Sequence, residues 1–200
     1  MSRSVRVVKV GGSLLDFESL PDRLLQWLQR QTPAAQVLVA GGGQLADVIR
    51  QADAVHRIGD ELGHWLCVSL MGVTARLLAR LVPESQLIED YDELVDRLAT
   101  ESPRIVFAVE SFLRQQEPVL PGAKASRDWR TTSDAIAARL AHSIRADELV
   151  LLKSTALPRG ISRREAAKKG LIDERFPAVA ETLSVRWVNL RAPDHAEATL

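Results

Sequence analysis

Val5, Val7, Val8 and Val10 form a short β-branched run that stops at Gly11 and Gly12, the pattern of a buried strand ending in a turn. Leu20, Leu24, Leu25 and Leu28 then recur at helical spacing, and Thr32-Pro33 breaks the chain before a second apolar run, Val37 to Ala40. Gly41, Gly42 and Gly43 follow at once. Leu45, Val48, Ile49 and Ala52 share one helical face, and Leu62, Leu66, Leu70, Val73, Leu77 and Leu81 continue a longer helix up to Pro83. Gln86 to Ile88 predicts a short strand, Leu94, Val95 and Leu98 a helical face, and Ile105 to Val109 another buried strand. From Arg114 to Arg130 the periodicity lapses into a long polar loop with Pro118, Pro121 and Gly122.

Order returns at Thr132, Ser133 and Asp134, all capable of capping a helix whose stripe is Ile136, Ala137, Leu140, Ala141 and Ile144. A strand is expected over Glu148 to Leu152. Ser162 and Glu165 have capping-box spacing for a short helix that Gly170 stops, and Val185 to Asn189 reads as the last strand. Strands alternating with helices predict an α/β fold, a three-layer αβα sandwich around a mostly parallel sheet, as a single domain over residues 1–200.

Composition narrows the function classes. Twenty-six basic residues balance 26 acidic ones, which argues against a nucleic-acid backbone as partner and leaves any phosphate to be met locally. Cys67 is the single cysteine, so no internal disulfide or cysteine-based zinc cluster is possible. Met1 to Val10 shows no apolar signal core, and no apolar run approaches the ~18 residues of a membrane helix. A cytoplasmic protein without a membrane partner is expected.

In an α/β fold the informative residues lie just after each strand. Here those are Lys9-Val10-Gly11-Gly12-Ser13, Gly41-Gly42-Gly43, and Lys153-Ser154-Thr155. Glycines let a backbone approach phosphate oxygens, N–H groups opening a helix point at an anion, and a lysine adds a point charge. Two glycine turns facing a phosphate chain, with lysines between them, suit phosphoryl transfer, in which charge spreads over the moving group's oxygens. Each piece also has a plainer reading: glycine pairs are common turns, Lys9 can decorate a strand edge, and Asp134 in a first helical turn can cap. His56 and His64, eight apart, lack metal-site spacing, and no metal ligand is assigned. Arg163, Arg164, Lys168 and Lys169 read as a solvated basic face. Gly41 to Ala46 also satisfies the dinucleotide pattern G-x-G-x-x-A, but Asp60 and Glu61, at the distance where its acidic partner belongs, fall in a helical pattern. The Walker-A spacing is absent.

Lys9 to Ser13, Val39-Ala40-Gly41-Gly42-Gly43 and Thr132 to Ala138, in this order along nearly the whole chain, resemble the amino acid kinase superfamily, which includes acetylglutamate, aspartate, uridylate and isopentenyl phosphate kinases. His64-Trp65, Met71 and the segment from Leu120 to Ala138 are similar to the branch that phosphorylates 5-(aminomethyl)-3-furanmethanol phosphate in methanofuran synthesis. The resemblance implies ATP over the carboxy-terminal half and a small-molecule phosphoryl acceptor over the amino-terminal half. Lys9 would lie across the transferring group, oriented by Asp134 through a charge-assisted hydrogen bond. Gly11, Gly12 and Ser13, with Lys153 and Ser154, would bind the nucleotide. Gly41, Gly42 and Gly43, with His64, Thr132 and Ser133, would face the acceptor. Magnesium would be held largely by ATP, and a homo-oligomer is implied.

Two departures stand out. Lys153 to Gly160 replaces the T-D-x-x-G type segment of several members, and after Gly170-Leu171-Ile172-Asp173 no lysine follows where some members carry a second catalytic one. Lys153 or Arg175 is the substitute on offer for that charge. The acceptor group would be a phosphate or a carboxylate, and three other readings stay open: an acetylglutamate or uridylate kinase-like enzyme, a nucleotide-binding storage or regulatory protein of the same fold with little catalysis, and a nicotinamide-dependent oxidoreductase.

Overall fold

A computed structural model describes residues 4–100 and 104–200, so the first three residues of the stretch Met1 to Val10 lie outside it. The elements run in the order β1 (Val5–Val10), α1 (Leu20–Gln29), β2 (Ala35–Ala40), α2 (Gln44–His56), α3 (Asp60–Leu81), β3 (Gln86–Ile88) and α4 (Tyr91–Thr100). They continue as β4 (Arg104–Phe107), α5 (Glu110–Gln115), α6 (Ser133–Ser143), β5 (Glu148–Lys153), α7 (Arg163–Lys168), α8 (Phe176–Val179), β6 (Val185–Asn189) and β7 (Glu197–Thr199). The strands form one seven-stranded sheet in the order β3-β4-β2-β1-β5-β6-β7. Every pairing is parallel except β6 with β7, and helices cover both faces.

Parallel strands buried on both faces read as continuous apolar runs, which is why β1, β2 and β5 were conspicuous in the sequence. Side chains alternate along β1. Val8 and Val10 join the core with Leu14, Leu24, Trp27 and Leu78, whereas Val7 belongs to the opposite core with Met71, Phe112 and the small residues of α6. Lys9, two residues after Val7, therefore points toward α6. It sits in register between Val39 of β2 and Leu151 of β5, at the centre of the sheet. Helix α6 is buried from Asp134 to Ala141, and Ala135, Ala137, Ala138 and Ala141 let its backbone lie close on the strands.

Several expectations are corrected. The apolar stripes on α2 and α3, which the sequence left open as core or subunit interface, are largely turned outward: Leu45, Val48, Leu62, Leu66, Val73 and Leu77 are exposed, while Gly63, His64, Val68, Met71, Thr74, Ala75 and Leu78 are the buried residues of α3. That helix is also long and apolar enough to cross a membrane by length and composition, where no such run was expected. The segment read as loop from Arg114 to Arg130 opens on the end of helix α5 and holds a 3-10 turn at Glu117–Val119. Val185 to Asn189 is not the last strand, because the short antiparallel β7 follows it. The capping box of Ser162 and Glu165 forms as expected. Arg163, however, is not a solvated cation: its guanidinium donates to the carbonyls of Ala180, Leu183 and Leu200.

Candidate active site

The carboxyl ends of β1, β2 and β5 bring the two glycine turns and the lysines together. A Cβ on Gly12 would lie 2.2 Å from the Gly43 nitrogen, and one on Gly41 would lie 2.7 Å from the Gly12 nitrogen. The turns thus pack backbone against backbone. Gly43 also needs the left-handed region, with φ +60° at the start of α2. The Gly11 N–H is bound to Leu152 O at 2.8 Å and the Gly41 N–H to Val10 O at 2.9 Å. Both close the turns and are spent, so Gly11 and Gly41 do not offer an N–H to a ligand as expected. Among the described residues, the N–H groups of Gly12, Ser13, Gly42 and Gly43 carry no backbone bond.

Beneath the turns lies a charge triad. Lys9 Nζ stands 2.8 Å from Asp134 Oδ1, and Lys153 Nζ stands 2.7 Å from Asp134 Oδ2. Lys9 and Asp134 are buried, so neither is an edge decoration or a cap; the α6 N-cap, Thr132, makes no side-chain capping bond. Burial would raise the Asp134 carboxyl, but the charges of Lys153 and Lys9 outweigh it and hold the group well below the usual carboxylate range. Burial, opposed by Asp134 and reinforced by Lys9, brings Lys153 down to about 8. Lys153 also donates to Leu171 O at 2.8 Å and lies 5.1 Å from the centre of the Trp187 ring. Ser13 and Ser154 share a hydrogen bond of 2.9 Å between their hydroxyls, linking the first turn to the end of β5.

Asp173 was not singled out from the sequence. Its Oδ2 accepts from Thr132 N–H, Thr132 Oγ1 and Ala135 N–H at 3.1, 3.0 and 2.8 Å, and its Oδ1 from Phe176 N–H at 2.8 Å. It is therefore the acceptor at the start of α6, supplied from 39 positions beyond Asp134. Burial and the nearby Asp134 charge raise it to about 6 against those hydrogen bonds. No local pattern announces it. Arg175, the other candidate for the missing charge, donates to Ser126 Oγ and lies 4.0 Å from Asp128, away from the triad.

Beside the turns opens a cavity of about 310 Å³. Gly12, Ser13, Gly42, Gly43, Thr132 and Ser133 form one side of it, and His64 is brought in from α3. Trp129, whose place in the loop before Thr131 already made it the tryptophan to expect at a ligand, adds a ring, whereas sequence reasoning did not anticipate apolar Cys67, Val68, Met71 and Ile136 or charged Asp16, Asp47, Arg50 and Asp128 as wall residues. His64 is buried and packs edge-on to Trp65 at 5.3 Å; burial, aided by Arg127, lowers its pKa and favours the neutral ring. His56 is exposed and takes no part. Among the described residues no group of three or more His, Cys, Asp or Glu side chains is placed to hold a metal ion.

Residues 4–156 match the amino acid kinase family. The chain belongs to that family. Membership makes it a small-molecule phosphotransferase. A relative from Methanocaldococcus jannaschii, named [5-(aminomethyl)furan-3-yl]methyl phosphate kinase, is 26% identical over 204 residues, covering 95% of this chain and 90% of the relative. Among solved structures, the uridylate kinase of Archaeoglobus fulgidus shares 17% identity and a TM-score of 0.58, covering 90% of this chain and 88% of that one. The UMP kinase of Ureaplasma parvum shares 11% identity and a TM-score of 0.64, covering 96% and 92%. That of Bacillus anthracis covers both chains fully at 11% identity and a TM-score of 0.63. These structures share the fold, a parallel sheet with helices on both sides.

Proposed function

We propose that the chain transfers the γ-phosphoryl group of ATP to a phosphate oxygen of a small acceptor, [5-(aminomethyl)furan-3-yl]methyl phosphate or a close analogue, in methanofuran-type cofactor synthesis. The observation that carries the reading is Asp134 held between Lys9 and Lys153 directly beneath two interlocked glycine turns. Two ammonium groups on one carboxylate leave a net positive charge at the point where a phosphoryl group in flight spreads its negative charge.

The donor set fits a polyphosphate. Gly12 and Ser13 offer free N–H groups on the nucleotide side with Lys153 and Ser154, and Gly42 and Gly43 offer them on the acceptor side. An acceptor phosphate oxygen attacks the γ-phosphorus, the bond to the β,γ-bridging oxygen breaks, and ADP leaves as the acceptor becomes a diphosphate ester. Lys9, in β1 between the two turns, stabilises the moving group, and Lys153 takes the place of the late lysine seen in some members. The storage reading rested on that missing lysine, and Lys153 removes the reason for it. The triad's only carboxylate is occupied by lysines, so magnesium would be held largely by the nucleotide, where it would add positive charge.

The relative's name points to the acceptor, and the cavity has the matching chemistry. Val68, Met71 and Ile136 suit a flat ring, Asp47 and Asp128 suit an ammonium group, and the glycine N–H groups suit a phosphate. The amino-terminal half holds the acceptor and the carboxy-terminal half the nucleotide, within one domain acting in the cytoplasm. The outward apolar side chains of α2 and α3 are the surface on which we place a homo-oligomer. The deciding experiment measures ADP release from ATP and magnesium with this furan phosphate, UMP and acetylglutamate as rival acceptors. Turnover with the furan phosphate that Lys9→Ala abolishes is expected. Turnover with UMP or acetylglutamate alone rejects the acceptor, and full activity of Lys9→Ala rejects the mechanism.

A further inference from the structure

The polar segment between α5 and α6 carries Asp128, Trp129 and Thr131 to the wall of the cavity. Its base is secured by buried Glu117, whose Oε1 accepts from Ala125 N–H at 2.9 Å and from Arg139 Nε at 3.1 Å. Its far end folds on itself. Asp128 Oδ1 accepts from Ser126 Oγ at 2.9 Å and Arg130 N–H at 3.0 Å, and Thr131 N–H returns to Asp128 O at 3.2 Å. Residues 126–131 are therefore tied to one another by their own hydrogen bonds.

That piece is seated by Trp129. The indole lies against Gly63, in the first turns of α3, where a Cβ would be 2.3 Å from Cζ2 and 2.9 Å from Cη2. A glycine inside a helix costs about 1 kcal/mol relative to alanine. The backbone does not require it here, since Gly63 has ordinary helical geometry; the ring does. Gly72, in the same helix, has nothing within 4 Å of its Cβ position and provides the contrast. The indole Nε1–H donates to Asp53 Oδ2 at 2.9 Å, and the other oxygen of Asp53 accepts the Gly59 N–H at 3.0 Å in the turn joining α2 to α3. The Arg50 guanidinium stands 5.8 Å from the ring centre. One side chain thus docks the segment on both helices that build the acceptor side.

We infer that Trp129, seated in the notch at Gly63, is a positioning residue that sets Asp128 and Thr131 against the acceptor, so that the pair governs acceptor affinity and selectivity and leaves the nucleotide side alone. The kinetic part rests on the kinase reading; the seating of the segment does not. The test compares Gly63→Ala, Trp129→Phe, their combination, and Gly72→Ala as control. The added methyl displaces the indole, and a phenyl ring, lacking the Cζ2 and Cη2 edge, leaves it room. Gly63→Ala is expected to raise the acceptor KM about ten-fold or more, with kcat and the KM for ATP nearly unchanged. The double variant recovers most of that loss, and Gly72→Ala shows none. Tryptic cleavage at Arg127 and Arg130 follows the same order, fast in Gly63→Ala and slowed again in the double variant. Unchanged acceptor KM and cleavage in Gly63→Ala, an equal rise in the KM for ATP, or no recovery in the double variant overturns the inference. A wild-type protein that turns over no acceptor defeats the kinase reading alone, and the tryptic comparison then decides the seating.

Discussion

Gly12 and Gly43 touch through their backbones: the space a Cβ on Gly12 would need is filled by the Gly43 nitrogen at 2.2 Å and its Cα at 2.5 Å. The turn after β1 and the turn after β2 are therefore one unit, and in the proposed site the spacing of donor and acceptor phosphates would be fixed by main chain.

Gly12→Ala forces these turns apart. Overpacking of this kind costs about 1–3 kcal/mol, and the displaced N–H groups lower kcat by about 10²-fold or more, as expected for misplaced transition-state contacts. Urea unfolding together with steady-state rates checks both, and a variant with normal kcat would show that the contact has no part in the chemistry.

Asp134→Asn leaves Lys9 and Lys153 with no anion between them. Removing one partner of a buried ionic group costs about 3–5 kcal/mol, and kcat falls by about 10²–10³-fold as the lysines lose their aim. The stability loss shrinks at alkaline pH, where Lys153 sheds its proton. Thermal melts at pH 7 and pH 9 read this, and an equal loss at both is the contrary result.

Lys153 gives activity and stability opposite pH responses. Its charge disappears above about 8 in the folded protein, so kcat/KM falls as pH rises through that value. Between about 8 and its ordinary 10.5 the unfolded chain holds the extra proton, so this group's contribution to stability rises with pH across the same window. Lys153→Arg, charged throughout, abolishes the alkaline fall in rate if Lys153 is its source.

Asp173→Asn replaces an acceptor of three hydrogen bonds at the start of α6 with a group that presents a donor to some of them. A loss of about 1–3 kcal/mol is expected. In the wild-type protein Asp173 stays protonated up to about 6, against 3.8 unfolded, so its contribution to stability falls as pH rises across that interval. Urea titrations at pH 4 and pH 7 measure the difference, which Asp173→Asn removes.

The sequence carried those groups of the candidate site whose signal depends on neighbours in the chain. Glycines after apolar runs, and a Thr-Ser-Asp segment opening a helix, are short-range signals, so Lys9, both turns and Asp134 were legible. Asp173 was not, because three of its four hydrogen bonds come from Thr132 and Ala135, 41 and 38 positions away, and the fourth, from Phe176 N–H, is one that any turn aspartate makes. The same holds for Gly63; Trp129 stood out in its loop, but its seat on Gly63 exists only after folding. On α2 and α3 the periodicity revealed an apolar stripe without saying what covers it, and Leu62, Val73 and Leu77 turned outward. Strand β7 is too short, and pairs along too few residues, to have left a periodic trace.

Helix α6 is buried from Asp134 to Ala141 and lies close on the sheet through its alanines. The carboxylate that gathers the two lysines is thus carried by a segment that opens only when the whole molecule does. On the proposed function, a nucleotide arriving there would meet charges already in place, leaving little reorganisation for the transfer itself. Amide exchange should record the contrast, slowest along α6 and fastest at residues 126–131, so that whatever slow breathing limits turnover belongs to the acceptor side.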